Sequence, residues 1–137
     1  MSIRYINTDL DLECPNDLSS LAKDLEARGV FALHIEQAKE GHWFARFETE
    51  EEYIDPETNI AAMLDVIESA EDSIQRLWRE CSLREFNIGY DCGDEPWAFN
   101  QGLSNATLKR LAEVGATLRF TLYPEDKTTG EEPAKKP

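Results

Sequence analysis

A thiol, three carboxylates and an indole fall together in the run Tyr90-Asp91-Cys92-Gly93-Asp94-Glu95-Pro96-Trp97. Cys92 is the candidate nucleophile there, and it would need a base such as His34 or His42 to become one. Its neighbours oppose that use, because Asp91, Asp94 and Glu95 disfavour a thiolate beside them. Alternation with Tyr90 instead places Cys92 on the apolar face of a strand, as a buried structural thiol. The same carboxylates offer oxygen ligands to Ca²⁺ or Mg²⁺. A metal- or small-molecule-binding sensor or enzyme using Asp91–Glu95 is therefore the alternative reading of this loop. Its spacing matches no dedicated cation loop, and no metal or other cofactor is expected. The third chemistry is recognition: Trp97 beside Asp94 and Glu95 combines an aromatic anchor with charges that steer a basic protein. The plainer role for Trp97 is to plug the loop onto the core.

A second set of carboxylates is Asp9, Asp11 and Glu13, which alternate with Leu10, Leu12 and Cys14. A period of two puts these like charges about 7 Å apart along one face of a strand. A basic partner or a cation would relieve their repulsion, and the plainer reading is an edge strand guarded by charge against pairing with other chains. Elsewhere the chain lacks the glycine-rich phosphate loops, the H-E-x-x-H pair and the G-x-S-x-G elbow that would announce nucleotide binding or hydrolysis. No catalytic residue is assigned.

These groups need elements to hold them. Pro15 ends the first strand, and Asn16 or Asp17 caps a helix whose Leu18, Leu21, Ala22 and Leu25 recur at helical spacing. Gly29 stops it, and Val30 folds back onto Leu25. Val30–Ala38 and His42–Thr49 read as a hairpin around Lys39-Glu40-Gly41, with Trp43 and Phe47 on one face and Phe44 and Arg46 on the other. Asp55-Pro56 opens a long apolar-periodic stretch to Cys81, weakened at Ser69–Ser73, where it kinks or breaks. Leu83–Cys92 alternates as a strand. Ser104 caps a helix with Leu108, Leu111 and Ala112 as its inward stripe, Gly115 ends it, and Thr117–Tyr123 alternates again.

The order βαββαβαβ gives an α+β fold: one mostly antiparallel sheet with helices on one face, a ferredoxin-like core extended by a final helix and strand. Residues 1–124 are expected to form a single domain and residues 125–137 a disordered tail, since the chain after Tyr123 has no large apolar residue. With 28 acidic against 14 basic residues the net charge is −14 and the pI near 4.4. Such a field repels nucleic acid and anionic membrane and favours encounter with basic proteins. A polar N-terminus and three widely spaced cysteines predict a cytoplasmic protein with reduced thiols.

The ending Asn100-Gln-Gly-Leu-Ser-Asn-Ala-Thr-Leu-Lys-Arg-Leu-Ala-Glu-Val-Gly-Ala-Thr-Leu-Arg-Phe-Thr-Leu-Tyr123 resembles that of small acidic bacterial domains of unassigned function. In them a leucine-serine cap, a Leu-x-x-Leu-Ala helix, a glycine stop and a closing strand recur. Some such domains are similar to immunity proteins, which neutralise a partner toxin. The resemblance implies a non-catalytic protein that binds a basic partner such as a toxin. The residues read as partner-binding are Asp9, Asp11, Glu13, Asp94, Glu95 and Trp97.

Overall fold

The computed structural model describes residues 1–125. From residue 126 on, the expected disordered tail lies outside the described residues. The chain runs β1 (Arg4–Cys14), α1 (Ser19–Glu26), β2 (Val30–Gln37), β3 (Trp43–Thr49), α2 (Pro56–Glu68), α3 (Asp72–Glu80), β4 (Leu83–Asp91), α4 (Asn105–Glu113) and β5 (Thr117–Tyr123). The strands form one sheet in the order β2-β3-β1-β4-β5.

Two expectations are corrected by this topology. The sheet is mixed rather than mostly antiparallel, because β5 runs parallel to β4, with Phe86 opposite Leu118 and Ile88 opposite Phe120. A crossover through α4 returns the chain to the same end of the sheet, which is how two adjacent parallel strands are joined. The other correction concerns β1, which is the central strand with β3 and β4 on its two sides and so cannot be an edge guarded by charge.

Alternation does the sorting. Leu10, Leu12 and Cys14 of β1, Ala45 and Phe47 of β3, and Phe86 and Ile88 of β4 are fully or almost fully buried. They join Leu21 and Leu25 of α1, Ile60, Met63, Leu64 and Ile67 of α2, Trp78 of α3 and Leu111 of α4 in one cluster. All four helices thus contribute to the core on the same side of the sheet. Transfer of a Leu or Phe side chain into such a core is worth about 1.5–3 kcal/mol each.

The helix boundaries follow local chemistry. Asp55 accepts the Thr58 N–H at 2.8 Å and Pro56 opens α2. The long stretch to Cys81 is two helices. The Ser69 hydroxyl turns back to the Asp65 carbonyl at 2.8 Å, and Glu71 is extended, which lets α3 restart at an angle. Asp17 accepts the Ser19 N–H at 2.8 Å. Ser104 accepts the Thr107 N–H at 3.1 Å, while Glu57 of α2 takes both the Ser104 N–H and the Thr107 hydroxyl, so one carboxylate ties two helix starts together. Those donors, Thr107 first, hold the Glu57 carboxyl below its ordinary pKa. At the other end of α4, Gly115 has φ +72°, a value that suits glycine, and the Ala116 N–H reaches back to the Leu111 carbonyl at 2.9 Å. Within α4, Leu108 and Ala112 lie outside the expected inward stripe and are exposed, while Thr107 and Leu111 are buried.

Arg84 closes the junction. Its guanidinium donates to the carbonyls of Trp78, Arg79 and Cys81 at the end of α3, and its Nε to the Gly115 carbonyl at the end of α4.

Candidate functional site

The side of the sheet away from the helices carries the second half of every alternation. Cross-strand register aligns Arg46 of β3, Asp11 of β1, Glu85 of β4 and Thr117 of β5 in one row. The next row aligns Asp9, Asn87 and Arg119, and Asn7, Gly89 and Thr121 follow. Leu12 and Asp11 are therefore adjacent in sequence and on opposite sides of one sheet.

Asp11 and Glu85 are buried, although no helix covers them; Asp11 is 5% exposed. Guanidinium groups cover them instead. Arg46 donates to both Asp11 oxygens, at 2.8 and 3.2 Å, and Arg119 donates to Glu85 at 2.7 Å. Arg46 also lies over the Phe44 ring at 5.7 Å. The Asp11 partner raises the Arg46 pKa first, and partial burial opposes it. Asp9 is different. Arg46 approaches it to 4.0 Å, yet burial first, and then the neighbouring Asp11 and Glu48 charges, push its carboxyl up to about 6. Asn7 donates to Asp9 at 3.1 Å and to Glu48 at 2.9 Å. At the far end the Tyr123 ring lies beside Gly89, where a Cβ would meet it at 3.6 Å.

The face thus presents Asp9, Asp11, Glu13, Glu36, Glu48, Glu85 and Asp91 against Arg4, Arg46 and Arg119, seven carboxylates to three guanidinium groups. Glu13 is exposed and Asp9 half-buried. Such an arrangement can hold cationic side chains by charge-assisted hydrogen bonds.

The other sequence-predicted group sits elsewhere. Asp94 accepts from the Met1 nitrogen at 3.3 Å, and the Ile3 N–H donates to the Glu95 carbonyl at 2.7 Å, so this loop is stitched to the segment that precedes β1. Trp97 does not plug the core: it is 99% exposed. With Met1 paired to Asp94, Asp9 lies eight residues further along an extended chain, about 26 Å away. The structure brings Asp9, Asp11 and Glu13 together, and Asp94, Glu95 and Trp97 together, and leaves the two groups apart.

The nucleophile and metal readings find little geometry. Cys92 lies just past β4, with its N–H on the Tyr123 carbonyl, while His34 is on β2 at the opposite edge of the sheet. Cys92 is half-buried rather than buried. Cys14 and Cys81 are buried and free; burial first, and then the Cys14 thiol beside it, push the Cys81 thiol up to about 12. Asp91 accepts from Arg4 at 2.8 Å. Among the described residues no group of three or more His, Cys, Asp or Glu could hold a metal ion, and no helix is long and apolar enough to cross a membrane.

Comparison with known families places this architecture. A family model, Domain of unknown function (DUF4279), matches residues 19–125, from the start of α1 to just past β5. The chain belongs to the DUF4279 family. No curated protein and no solved structure matches it. In this DUF4279 domain the matched span contains Arg46, Glu48, Glu85 and Arg119, whereas β1 with Asp9, Asp11 and Glu13 precedes it.

Arg46, Glu48, Glu85, Asn87 and Arg119 are the site residues that sequence reasoning missed. Each stands on the polar phase of its strand, and that phase was readable. What alternation cannot supply is which strands are neighbours, and without the order β3-β1-β4-β5 these residues are scattered over about 75 positions of chain.

Proposed function

We propose that this DUF4279 domain is a non-catalytic binding protein whose helix-free sheet face takes a basic protein, in the manner of an immunity protein seated on a toxin. One observation carries this reading: seven carboxylates stand against three guanidinium groups on the one sheet face that no helix covers. The net charge of −14 extends the attraction beyond contact distance and speeds encounter. Asp94, Glu95 and Trp97 then form a second contact for a partner long enough to reach past the start of β1. A bacterial, cytoplasmic setting belongs to this reading, and its bacterial part is supported by the resemblance of residues 100–123. The ferredoxin-like reading of the first four strands is supported by their order, β2-β3-β1-β4, and by three antiparallel ladders.

The test is capture from the native host by the wild-type domain and by an Asp9→Lys/Glu13→Lys variant, whose fold is checked by circular dichroism. The wild type retains a basic protein at low salt, the variant does not, and association slows as salt shortens the Debye length from about 10 to about 3 Å. Equal retention by both proteins, or no basic protein retained by either, overturns the assignment. Replacing Trp97 by Ala with Asp94→Asn and Glu95→Gln measures the second contact separately.

A further inference from the structure

A cavity of about 640 Å³ lies not in the middle of the helix-free face but at the place where β3 leaves β1. β4 pairs with β1 from Arg4 onward, whereas β3 pairs with it only from Leu10 to Cys14. After Thr49 the chain turns away toward α2, so the first half of β1 has a strand on one side and an opening on the other.

That opening is held by a built floor. Asn59 of α2, 3% exposed, occupies the place a strand would take: its Oδ1 accepts the Thr8 backbone N–H at 3.1 Å and the Tyr5 hydroxyl at 2.7 Å. Its Nδ2 donates to the Thr49 hydroxyl at 3.1 Å, and the Tyr5 and Thr8 hydroxyls are 2.7 Å apart. Every buried side-chain polar group of the floor is thereby satisfied by the protein itself. The notch has no need to collapse, and it is preformed at a volume ordinary for small-ligand sites.

The walls decide what fits. Glu48, Glu51 and Glu52 line the opening with Arg4 as the opposing charge, a local balance of −2 from three acids and one base. Arg4 is engaged by Asp91 at 2.8 Å, outside the cavity lining. Tyr53, which donates to Glu51 at 2.9 Å, and Phe99 supply aromatic surface, and Ile54 stands almost wholly exposed at the lip. An anion meets repulsion here, and a neutral apolar molecule would strip water from the carboxylates without return. A cation on a short alkyl stem matches both parts, its head among the carboxylates and its stem against the aromatic rings.

We propose that this notch beside β1 is a binding site for an organic ammonium or guanidinium group on an alkyl stem. The proposal is independent of the reading of the helix-free face, although Asn7 and Glu48 border both. The cation comes either from a free small amine or guanidine, or from a lysine or arginine side chain of a polypeptide laid along the open edge of β1.

Titration of the ¹⁵N-labelled domain with n-butylguanidinium, followed by amide chemical shifts, tests this. Saturable shifts are expected in residues 4–8 and 48–54 and at Asn59. The neutral isostere n-butylurea should bind at least about tenfold more weakly, a difference of about 1.4 kcal/mol. Glu51→Gln/Glu52→Gln, whose altered residues are exposed and leave the floor intact, should weaken n-butylguanidinium by about tenfold while n-butylurea is unchanged. Equal binding of cation and urea, or shifts that spread over all acidic segments and vanish with added salt, overturns the proposal. The blocked tripeptide acetyl-Gly-Arg-Gly-amide identifies the source. Tighter binding than n-butylguanidinium assigns the cation to a polypeptide side chain, and equal or weaker binding assigns it to a free small molecule.

Discussion

Leu10 and Leu12 face helices and are shut away from solvent, whereas Asp9, Asp11 and Glu13, one residue out of step on the same strand, face none. The apolar side gains by expelling water, and each of its residues touches several others, so its energy is large and shared. The charged side gains little by comparison. Bringing Asp11 and Glu85 out of water costs about as much as Arg46 and Arg119 return, and partly exposed ion pairs seldom stabilise by more than about 1 kcal/mol. One sheet thus separates the face that determines folding from the face that can change without unfolding the chain.

That contrast can be broken at four places, from the largest expected effect to the smallest. Phe86→Ala removes a fully buried ring from the helix-covered face and should cost about 3–5 kcal/mol, read by urea denaturation. On the other face, Arg46→Ala leaves the buried Asp11 carboxylate without its two-pronged donor, and a loss of about 2 kcal/mol is expected. Arg46→Lys should recover only part of this, since an ammonium cannot reproduce both bonds.

Asp9→Asn sharpens the comparison by moving the other way. The Asp9 carboxyl titrates at about 6 in the folded protein, above its ordinary 3.8, so the folded state holds the proton more tightly than the unfolded state does. The protein gains stability from Asp9 protonation at low pH and loses that advantage as pH rises through 6. At pH 8 the amide should therefore be more stable than wild type by about 1–2 kcal/mol after allowance for solvent at the rim, whereas at pH 4 the two should be nearly equal. A lower melting point for Asp9→Asn at pH 8 would show that the Arg46 attraction outweighs burial. Glu13→Gln, on an exposed residue of the same strand, should change stability by less than about 0.5 kcal/mol while slowing association with a basic partner.

Much of the scaffold was legible because local signals carried it. Asp55-Pro56, Ser104 and Gly115 mark helix ends that the structure confirms through the Thr58, Thr107 and Ala116 N–H groups. Leu108 misled because helical spacing gives a stripe without its centre, and here that centre falls on Leu111 with Thr107 rather than Leu108 beside it. The parallel pairing of β4 with β5 was within reach, since a strand, a helix and a strand in short succession favour it. The candidate sites were the least legible. Asp9, Asp11 and Glu13 follow from alternation alone, but the partners that bury Asp11 and Glu85 come from strands far apart in sequence. The notch beside β1 exists because β3 stops pairing early, a fact about register that leaves no local mark.

Arg84 ties two helix ends into one event. Because a single guanidinium holds the last carbonyls of α3 and the carbonyl of Gly115, the end of α4 cannot detach without releasing the end of α3. In native-state hydrogen exchange, the amides of Cys81 and Ala116, remote in sequence, should therefore open together as parts of one cooperative unit, two helices joined by a side chain that belongs to neither.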